Sequence, residues 1–467
     1  MRRSTLESVP AVPNAAEREF DWYVGIDGGG ATHQVCVLDA AGRRAGERAV
    51  AHAGADLAAL AAWLHEVAGP SLARVAVGLE SRHAGPVALC LEHGAAVFAI
   101  NPKQLERFRE RASAAGAKDD RRDAYVAASA LRTDRGAFHR VTPDDARVVA
   151  LRELSRTADE LREDARRLSN RLRAQLERYF PQMLTLVPAA DEPWLWTLLE
   201  RVPTPAAAVR VREAAVARVL TAHRIRRVSA AEVLTALRAP ALVVAPGTVE
   251  AVSAHVALLV PHLQLVSEHH RRCLAQLEAA VAALAGPGPG PGADPPSRPA
   301  PNAPPDAPPD APPDAPPDAP PDAPPDAPPD ALGTAVRLVR SLPGVGGVIA
   351  GALVAEAAGA LLAGDYHALR TQGGTAPVTK QSGKQRLVAM RHACNQRLRT
   401  ALYHWARVST QHDAAARQYY ATLRGRGHSH PRALRSVADR WLRILTAMLA
   451  TGTPYDSTRF ASGVATP

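Results

Sequence analysis

Acidic residues in the first third of the chain have the spacing of a metal site. Asp27 and Glu80 each end a predicted strand, WYVGID and VAVGLE. Asp120 and Asp123, within GAKDDRRDAY, are three residues apart and so share one face of a predicted helix. If this helix packs beside the sheet edge, the four carboxylates converge, and Mg²⁺ would relieve their mutual repulsion. The pattern indicates metal-assisted chemistry on a phosphate.

Spacing alone leaves a plainer interpretation open. A strand-terminal Asp is commonly a turn former, and Asp119 or Asp120 could instead cap an exposed helix. Asp119 also competes with Asp120 for the role of metal ligand. Arg121 and Arg122 follow directly, and we expect them to contact a nucleic-acid backbone. On this hypothesis the acids hold the metal and the bases hold the polyanion on which it acts.

A serine near the other end of the chain is a candidate nucleophile. In VTKQSGKQR, Ser382 precedes a glycine and lies among Lys380, Lys384 and Arg386, which could neutralise a phosphate. A serine that attacks a phosphodiester would conserve the bond energy as a phosphoserine. The residues by themselves favour the alternative, a loop serine that only contacts phosphate.

Two glycine motifs have different implications. LPGVG (342–346) precedes an Ala/Val-rich helix and resembles the hairpin of helix-hairpin-helix DNA-binding elements, so Gly344 and Gly346 are candidate phosphate contacts. GIDGGG (25–30) is not a dinucleotide fingerprint, because its glycines do not open a helix.

Composition favours a helical protein that binds a polyanion. The formal net charge is +10 and the pI is about 9.9, which is typical of nucleic-acid binding, although a solvated basic surface is the alternative. The four cysteines lack metal-ligand spacing, so we expect a reducing compartment and no zinc site. The N-terminus lacks the apolar core of a signal peptide. The apolar run 344–364 carries Glu356 and predicts a packed helical hairpin rather than a membrane span.

The sequence divides into a mixed α/β domain followed by helical regions. Buried strands are predicted at 22–27, 35–39, 75–80 and 95–101. The predicted segments are an N-terminal tail (1–20), the α/β domain (21–146), a helical or coiled-coil region (147–285), a Pro-rich linker (286–331), a serine domain (332–456) and a C-terminal tail (457–467).

Three further patterns follow the α/β domain. Apolar residues recur every three or four positions along 147–180, which predicts a long helix that Pro181 ends; it serves as a dimerisation arm or a core helix. APPD is repeated seven times from Ala303 to Asp330, which favours a semi-rigid spacer over a docking site. Residues 380–443 are rich in arginine and aromatic residues, so Arg397 and Arg399 are further candidate nucleic-acid contacts.

These motifs occur in an order that resembles a known family. VGID…TH (24–33), GLES (78–81) and INPKQLERFRERA…KDDRRDA (100–124) are similar to the acidic blocks of the DEDD transposases of the IS110 (IS-one-hundred-ten) insertion-sequence family and of the related Piv-type invertases. LPGVG…AE, GGTAP…QSGK and NQRLRTALYHWARV are similar to the carboxy-terminal transposase domain. The resemblance covers about 22–181 and 332–456.

The resemblance implies a fold, a reaction and partners. It implies a ribonuclease H-like, RuvC-type domain that binds Mg²⁺ through Asp27, Glu80, Asp120 and Asp123, and so selects Asp120 over Asp119. It also implies that Ser382 joins covalently to a DNA 5′ phosphate. A structured non-coding bridge RNA would pair with target and donor DNA. The implied assembly is a dimer to tetramer without a membrane partner, in the bacterial cytoplasm and on the nucleoid when acting.

The chain departs from the family pattern at three places. Gly30 stands where the family often has Lys, and His392 and Cys394 stand in a run that is often basic with Gly. The Pro-rich linker is unusual and could lengthen the reach between two half-sites. The function predicted is a transposase and site-specific DNA recombinase. The alternatives are a RuvC-like nuclease or junction resolvase that activates water, and a nucleic-acid-binding protein without catalysis.

Overall fold

The computed structural model of the protein describes most of the chain. The described residues are 20–80, 85–112, 119–141, 144–286, 330–382 and 385–457, with only the backbone described at Ala112, His139, Lys380, Ser382, Gln385 and Arg386. Most of the predicted tails and Pro-rich linker, and also Lys384, lie outside this range. Contacts divide the chain into two compact units, Met1–Asp144 and Asp145–Pro467.

The first unit contains a six-stranded mixed sheet. Its strands are β1 (Trp22–Gly28), β2 (Thr32–Asp39), β3 (Arg44–Ala51), β4 (Val75–Leu79), β5 (Ala96–Ala99) and β6 (His139–Val141). The order across the sheet is β3-β2-β1-β4-β5-β6. β1 and β5 both run parallel to β4, and the other neighbouring pairs are antiparallel. The four predicted strands are confirmed. β3 and β6 were not predicted, because β3 is polar and β6 has only three residues.

Helices cover both faces of this sheet. They are α1 (Gly54–Ala68), α2 (Gly85–Glu92), α3 (Pro102–Ala112) and α4 (Asp120–Asp134), with single 3-10 turns at Leu72–Arg74 and Arg135–Ala137. Apolar residues of α1 and α2 pack with Val24 and Ile26 on one face. Those of α3 and α4 pack with Tyr23 and Ala76 on the other. Because side chains alternate along each strand, the two faces of the sheet contribute to two separate hydrophobic cores.

Two long antiparallel helices form the frame of the second unit. They are α5 (Ala146–Tyr179) and α11 (Thr248–Ala285), and five short helices lie between them in sequence: α6 (Gln182–Leu186), α7 (Pro193–Arg201), α8 (Pro205–Arg210), α9 (Glu213–Ala222) and α10 (Ala230–Leu237). Leu168, Leu172 and Leu176 of α5 share a core with Val256 and Leu263 of α11. The apolar face of α5 is thus covered by residues of the same chain, as expected for a core helix. α5 also ends before Pro181, as predicted.

The remaining described part of the second unit is helical except for one hairpin. Its elements are α12 (Ala331–Arg340), α13 (Gly347–Leu362), α14 (Tyr366–Gln372), β7 (Val378–Ser382), β8 (Gln385–Ala389), α15 (Gln396–His412), α16 (Ala414–Gly425) and α17 (His430–Thr451). The Ala/Val-rich helix predicted after LPGVG is confirmed as α13, and the turn joins it to α12.

The predicted separation of 147–285 from 332–456 differs from the structure. Val148 and Leu151 of α5 and Val281 of α11 belong to the same core as α12 to α17. The ends of the Pro-rich segment are also close together, because Arg147 contacts Asp330 at 2.9 Å and Arg337 donates to the carbonyl of Ala285 at 3.0 Å. Both flanks of this segment therefore belong to one folded unit. A spacer between two domains would instead have its ends on separate bodies.

Two apolar helices bear on the membrane expectation. The run predicted as a hairpin is largely one helix, α13, kinked at Ala357, and its Glu356 accepts from Asn395 at 2.7 Å within the core. Among the described helices, α11 is long and apolar enough to cross a membrane by length and composition, with a mean hydropathy of 1.4 in its most apolar window. Length and composition alone are weak evidence for a membrane span, because a long core helix also meets both conditions. Residues of α11 belong to two cores of this unit.

Candidate active site and nucleic-acid groove

Strand register places Asp27 and Glu80 at the same edge of the sheet. β1 and β4 are parallel, with Gly25 opposite Gly78 and Ile26 opposite Leu79. Asp27 and Glu80 occupy the next position of each chain. Because side chains alternate along a strand, both lie on the same face as Gly25, the face that α4 covers. Asp27 is half-buried and Glu80 is exposed.

Two glycines let α4 approach that face closely. A Cβ on Gly25 would lie 1.9 Å from the carbonyl oxygen of Ala124 and 2.5 Å from the amide nitrogen of Ala128. A Cβ on Gly78 would lie 3.3 Å from Leu131 Cδ2 and 3.5 Å from the carbonyl oxygen of Ala127, both in α4. The backbone of α4 is therefore in direct contact with β1, which only glycine permits. This contact carries the start of α4 toward the strand ends that bear the two acids.

The start of α4 separates the roles of its aspartates. Asp119 is the N-cap, and its side chain accepts from the amide of Arg121 at 3.3 Å. Asp120 is exposed at the first helical position, and Asp123 is 2% exposed one turn later. Asp119 therefore caps the helix, Asp120 faces solvent, and Asp123 is enclosed. Negative charge here also suits the positive end of the helix dipole.

Asp123 is held by an arginine that the sequence reasoning missed. Arg109 of α3 donates through Nε and Nη2 to the two carboxylate oxygens of Asp123, at 2.6 and 2.7 Å. A bidentate contact fixes the plane of the carboxylate. Arg109 lies in RFRERA, within the acidic block 100–124, but nothing in its spacing distinguishes it from its neighbours. The pairing depends on a long-range contact between α3 and α4.

Asp27 and Glu80 end neighbouring strands, but the described residues do not form a closed carboxylate cluster. Within the residues described, no three His, Cys, Asp or Glu side chains are grouped so that they could hold a metal ion. Glu80 directly precedes residues 81–84, which lie outside the described part. The donor types nevertheless fit Mg²⁺, which prefers carboxylate oxygens and keeps several waters.

Arg121 is also engaged inside the first unit. It donates to Glu47 of β3, and this hydrogen bond is the main reason that the pKa of Glu47 is lowered. The Arg121 side chain is still 66% exposed, so its outer face can reach solvent. Arg122 is partly exposed.

The candidate nucleophile lies at the tip of the β7–β8 hairpin. The two strands are antiparallel, with Lys380 opposite Leu387, Gln381 opposite Arg386 and Ser382 opposite Gln385. Ser382 is therefore the last residue of β7, at the turn. The side chains of Lys380, Ser382 and Arg386 lie outside the described part, as does all of Lys384, so these assignments stay predictions.

The predicted phosphate-binding turn makes contacts within its own unit. Gly344 has φ of +79°, and a Cβ there would lie 2.9 Å from the amide nitrogen of Ser409 in α15. Gly346 is the exposed N-cap of α13. A Cβ on Gly347 would lie 1.6 Å from a carboxylate oxygen of Glu278, so an acid of the same chain already faces the start of α13. The glycines thus have a packing role that the motif alone did not show.

Two further candidate contacts, Arg397 and Arg399, hold α15 in place. Arg397 pairs with Asp159 of α5 at 2.8 Å. Arg399 donates to Gln396 at 3.2 Å and also to the carbonyl of Arg391. Trp405 of the same helix is fully buried, so this aromatic residue belongs to the core.

A cationic groove lies beside the hairpin, and its residues were missed individually. It has a volume of about 1180 Å³ between α14, β8, α16 and α17, and seven arginines line it. Asp439 is the single acid among its lining residues. The groove draws on the predicted basic stretch, but four separate elements assemble it. Density of positive charge was the only sequence signal, and it did not show which arginines face one another.

Comparison with known families matches both ends of the chain. A family model of the DEDD type from IS110 elements, described as "Transposase", matches residues 24–181. A second model, described as "Transposase IS116/IS110/IS902 family", matches residues 336–421. The first match contains the strands and helices that carry all four candidate carboxylates. The second contains the β7–β8 hairpin.

Several curated proteins are similar over part or most of the chain. The putative transposase y4uE of Sinorhizobium fredii is 46% identical over 202 residues, so the match spans 43% of this chain and about half, 56%, of that protein. The mini-circle putative transposase for IS117 of Streptomyces coelicolor is 26% identical over 446 residues, 94% of this chain and 96% of that protein. A 43.6 kDa protein of insertion element IS110 from the same species is 27% identical over 74% of each chain. The chain therefore belongs to the IS110 family of DEDD transposases, which are enzymes of DNA transposition.

Proposed function

We propose that this chain cuts and rejoins DNA as a site-specific recombinase of an insertion sequence, with Ser382 as nucleophile. In this proposal Asp27, Glu80, Asp120 and Asp123 hold Mg²⁺. The observation that carries the metal site is the register of β1 and β4, which brings Asp27 and Glu80 to one edge under α4. The strand order around β1 also supports a ribonuclease H-like, RuvC-type fold.

The proposed cleavage step balances as a transesterification. The Ser382 hydroxyl oxygen attacks the phosphorus of the scissile phosphodiester and loses its proton. The bond from phosphorus to the 3′ oxygen breaks, and that oxygen leaves as a 3′ hydroxyl. The 5′ phosphate stays on Ser382, so a new 3′ hydroxyl can reverse the step and reseal the strand. Bound Mg²⁺ would stabilise negative charge on the phosphate oxygens.

Neighbouring residues of this chain prepare the reacting groups. Arg109 orients the carboxylate of Asp123, and Asp119 fixes the first turn of α4 so that Asp120 and Asp123 keep their spacing. Lys380, Lys384 and Arg386 flank Ser382 in sequence and would neutralise the phosphate it attacks.

The proposed partners follow from the same resemblance. Target and donor DNA are the substrates, and a structured non-coding bridge RNA pairs with both. The active assembly is a dimer to tetramer in which the serine domain of one subunit meets the RuvC-type domain of another. The basic charge of the chain supports polyanionic partners. The site of action is bacterial DNA in the cytoplasm.

Trapping of covalent adducts tests the nucleophile. Wild-type protein incubated with element-end DNA, guide RNA and Mg²⁺ is expected to form protein–DNA adducts that survive denaturing electrophoresis. Ser382→Ala is expected to form none. Adducts that persist in this variant would disprove the assignment.

A matched pair of aspartate variants tests the metal site. Asn caps helices as well as Asp does, so Asp119→Asn is expected to retain recombination. Asp120→Asn is expected to lower it by about 100-fold or more, because it removes a ligand charge. Equal activity of the two variants would argue against Asp120 as a ligand.

The alternative is a RuvC-like nuclease or junction resolvase in which the carboxylates activate water. All four carboxylates belong to the first unit. This observation favours the nuclease alternative, because hydrolysis would require no residue of the second unit. Product analysis separates the two reactions. Hydrolysis leaves free 5′ phosphates only, whereas the proposed reaction leaves the phosphate on the protein until resealing.

A further inference from the structure

We infer that the cationic groove binds the sugar–phosphate backbone of the DNA strand whose 5′ phosphate is joined to Ser382. This inference rests on the proposed function and adds a substrate-binding site to it. The groove is bounded by α14, β8, α16 and α17, all within the second unit. Its positive charge comes from arginines that are far apart in sequence, such as Arg370, Arg391, Arg432 and Arg443.

The groove has positive charge that its own acid does not neutralise. Asp439 accepts from Arg370 at 3.1 Å, from Tyr366 at 2.9 Å and from Thr375 at 2.8 Å, so its carboxylate is already committed. Within the described ranges, Arg432 and Arg435 form no salt bridge with a carboxylate. A run of surplus guanidinium groups in one concave surface attracts a polyanion.

Arginines elsewhere in the second unit are arranged differently. On α5, Arg166 pairs with Glu163 at 2.5 Å, and on α11, Arg271 pairs with Glu268 at 2.8 Å. Those pairs are three residues apart on exposed helix faces, which is how a solvated surface balances its charge. The pKa of Arg435 is lowered by burial and then by its neighbours Arg399 and Arg432, in agreement with crowded positive charge. An anion would relieve that crowding.

Aromatic rings hold several of these guanidinium groups. Arg440 lies 4.9 Å from the ring centre of Tyr419, and Arg370 and Arg443 lie 5.1 and 5.5 Å from that of Tyr366. Stacking on a ring restrains a long side chain before a ligand arrives, so less conformational entropy is lost on binding. A planar guanidinium held in this way presents paired N–H donors to phosphate oxygens.

The position of the groove favours the joined DNA strand over the guide RNA. Ser382 is opposite Gln385 at the hairpin turn, and Val388 to Arg391, further along the same chain, line the groove. Val388 is three residues beyond Gln385, which is about 10 Å along a strand. Because a DNA strand rises about 3.4 Å per nucleotide, the third phosphate from the joint would already reach the groove.

Salt dependence of binding tests this assignment without any cleavage. The protein carries Ser382→Ala throughout, and the probes are a fluorescent single-stranded DNA of about 20 nucleotides and an RNA hairpin of similar size. The groove variant is Arg432→Gln with Arg435→Gln. The control is Arg166→Gln with Arg271→Gln, which removes the same charge from exposed faces. Two lost phosphate contacts should reduce the slope of log K against log salt for DNA by about 1.4 in magnitude.

The outcomes distinguish DNA binding by the groove from DNA cleavage by Ser382. The groove variant is expected to lose DNA affinity and salt slope, and Arg432→Lys with Arg435→Lys is expected to restore the slope because the charge returns. A groove variant that matches the control, or a slope that changes only for the RNA hairpin, would overturn the inference. The proposed cleavage is tested in a separate assay with protein that retains Ser382. If that protein forms no covalent adducts with DNA, the proposed cleavage fails, whatever the binding results are.

Discussion

Arg109 and Asp123 form a bidentate ion pair that joins α3 to α4 at the edge of the candidate active site. Their two contacts measure 2.6 and 2.7 Å, and the Asp123 side chain is only 3% exposed. A carboxylate this buried requires either a cation or a set of hydrogen-bond donors. In this structure Arg109 supplies both. The pair therefore preserves the position of Asp123 independently of any metal.

Removal of this arginine should be costly. We expect Arg109→Ala to lower the free energy of unfolding of the first unit by about 3 to 5 kcal/mol, because Asp123 would be left as an unpaired buried charge. Urea denaturation followed by tryptophan fluorescence measures the change. Arg107→Ala, an exposed arginine of the same helix, is the control and should cost less than about 0.5 kcal/mol. Equal losses in the two variants would contradict the structural role of the pair.

A single methyl group at Gly25 should displace α4. Because a Cβ there would lie 1.9 Å from the Ala124 carbonyl oxygen, Gly25→Ala is expected to destabilise the first unit by about 3 kcal/mol or more. Gly30→Ala is the control, since nothing lies within 4 Å of its Cβ position. Thermal melting of the full chain compares them. If both variants melt with the wild type, the contact between α4 and β1 is not as close as described.

A buried histidine that contacts an exposed one should make the first unit sensitive to acid. His33 Nε2 lies 2.7 Å from His52 Nδ1, so one ring donates and the other accepts. Burial, and then the neighbouring His52, lowers the pKa of His33 from its ordinary value of 6.5. The unfolded chain therefore binds a proton that the folded chain resists. Stability from this group is complete above about pH 6.5 and falls as the pH drops below it.

The histidine prediction is measured as a difference in melting temperature between pH 7.5 and pH 5.5. His33→Gln is expected to show a smaller drop than the wild type, because it has no proton to take up. His270 and His404 also have lowered pKa values, mainly through burial, so the variant keeps part of the pH dependence. His269→Gln, at an exposed position, is the control. A drop as large in His33→Gln as in the control would refute the assignment.

The APPD repeats should be dispensable for folding. The flanks of this segment meet in one unit through the contacts from Arg147 to Asp330 and from Arg337 to Ala285. Shortening a loop whose ends are already adjacent changes the closure entropy by about 0.6 kcal/mol per halving. We expect deletion of 303–326 to leave the melting temperature within about 2 °C of the wild type. A large loss of stability would show that the repeats contribute contacts of their own.

Local patterns were sufficient to predict many elements of this chain. Strand-terminal acids, the i, i+3 pair on α4, the stop before Pro181 and the turn at LPGVG all depend on residues close in sequence. Periodicity and turn chemistry carry that information directly. The acidic blocks and the serine block occur in an order that predicted the family, which the family models confirm.

Other features required contacts between distant residues. The polar edge strand β3 is defined by its pairing with β2, and Arg109 is distinguished from nearby arginines only because it reaches Asp123. The apolar stripe of α5 could have served a partner subunit, and only the position of α11 shows that it is covered within the chain. The periodicity of a sequence predicts an apolar face, but only the packing of the folded chain determines which other face covers it.

The sequence by itself determined the chemistry that is possible here, because residue type and local spacing set which side chains can bind a metal, attack a phosphate or cap a helix. The tertiary structure decided which of them meet. Strand register aligns Asp27 with Glu80, Asp119 becomes a cap, and four elements assemble the arginine groove. The physical reason is that ion pairs, close backbone approaches and grooves join residues that are tens to hundreds of positions apart, and the geometry of each depends on the complete packed unit.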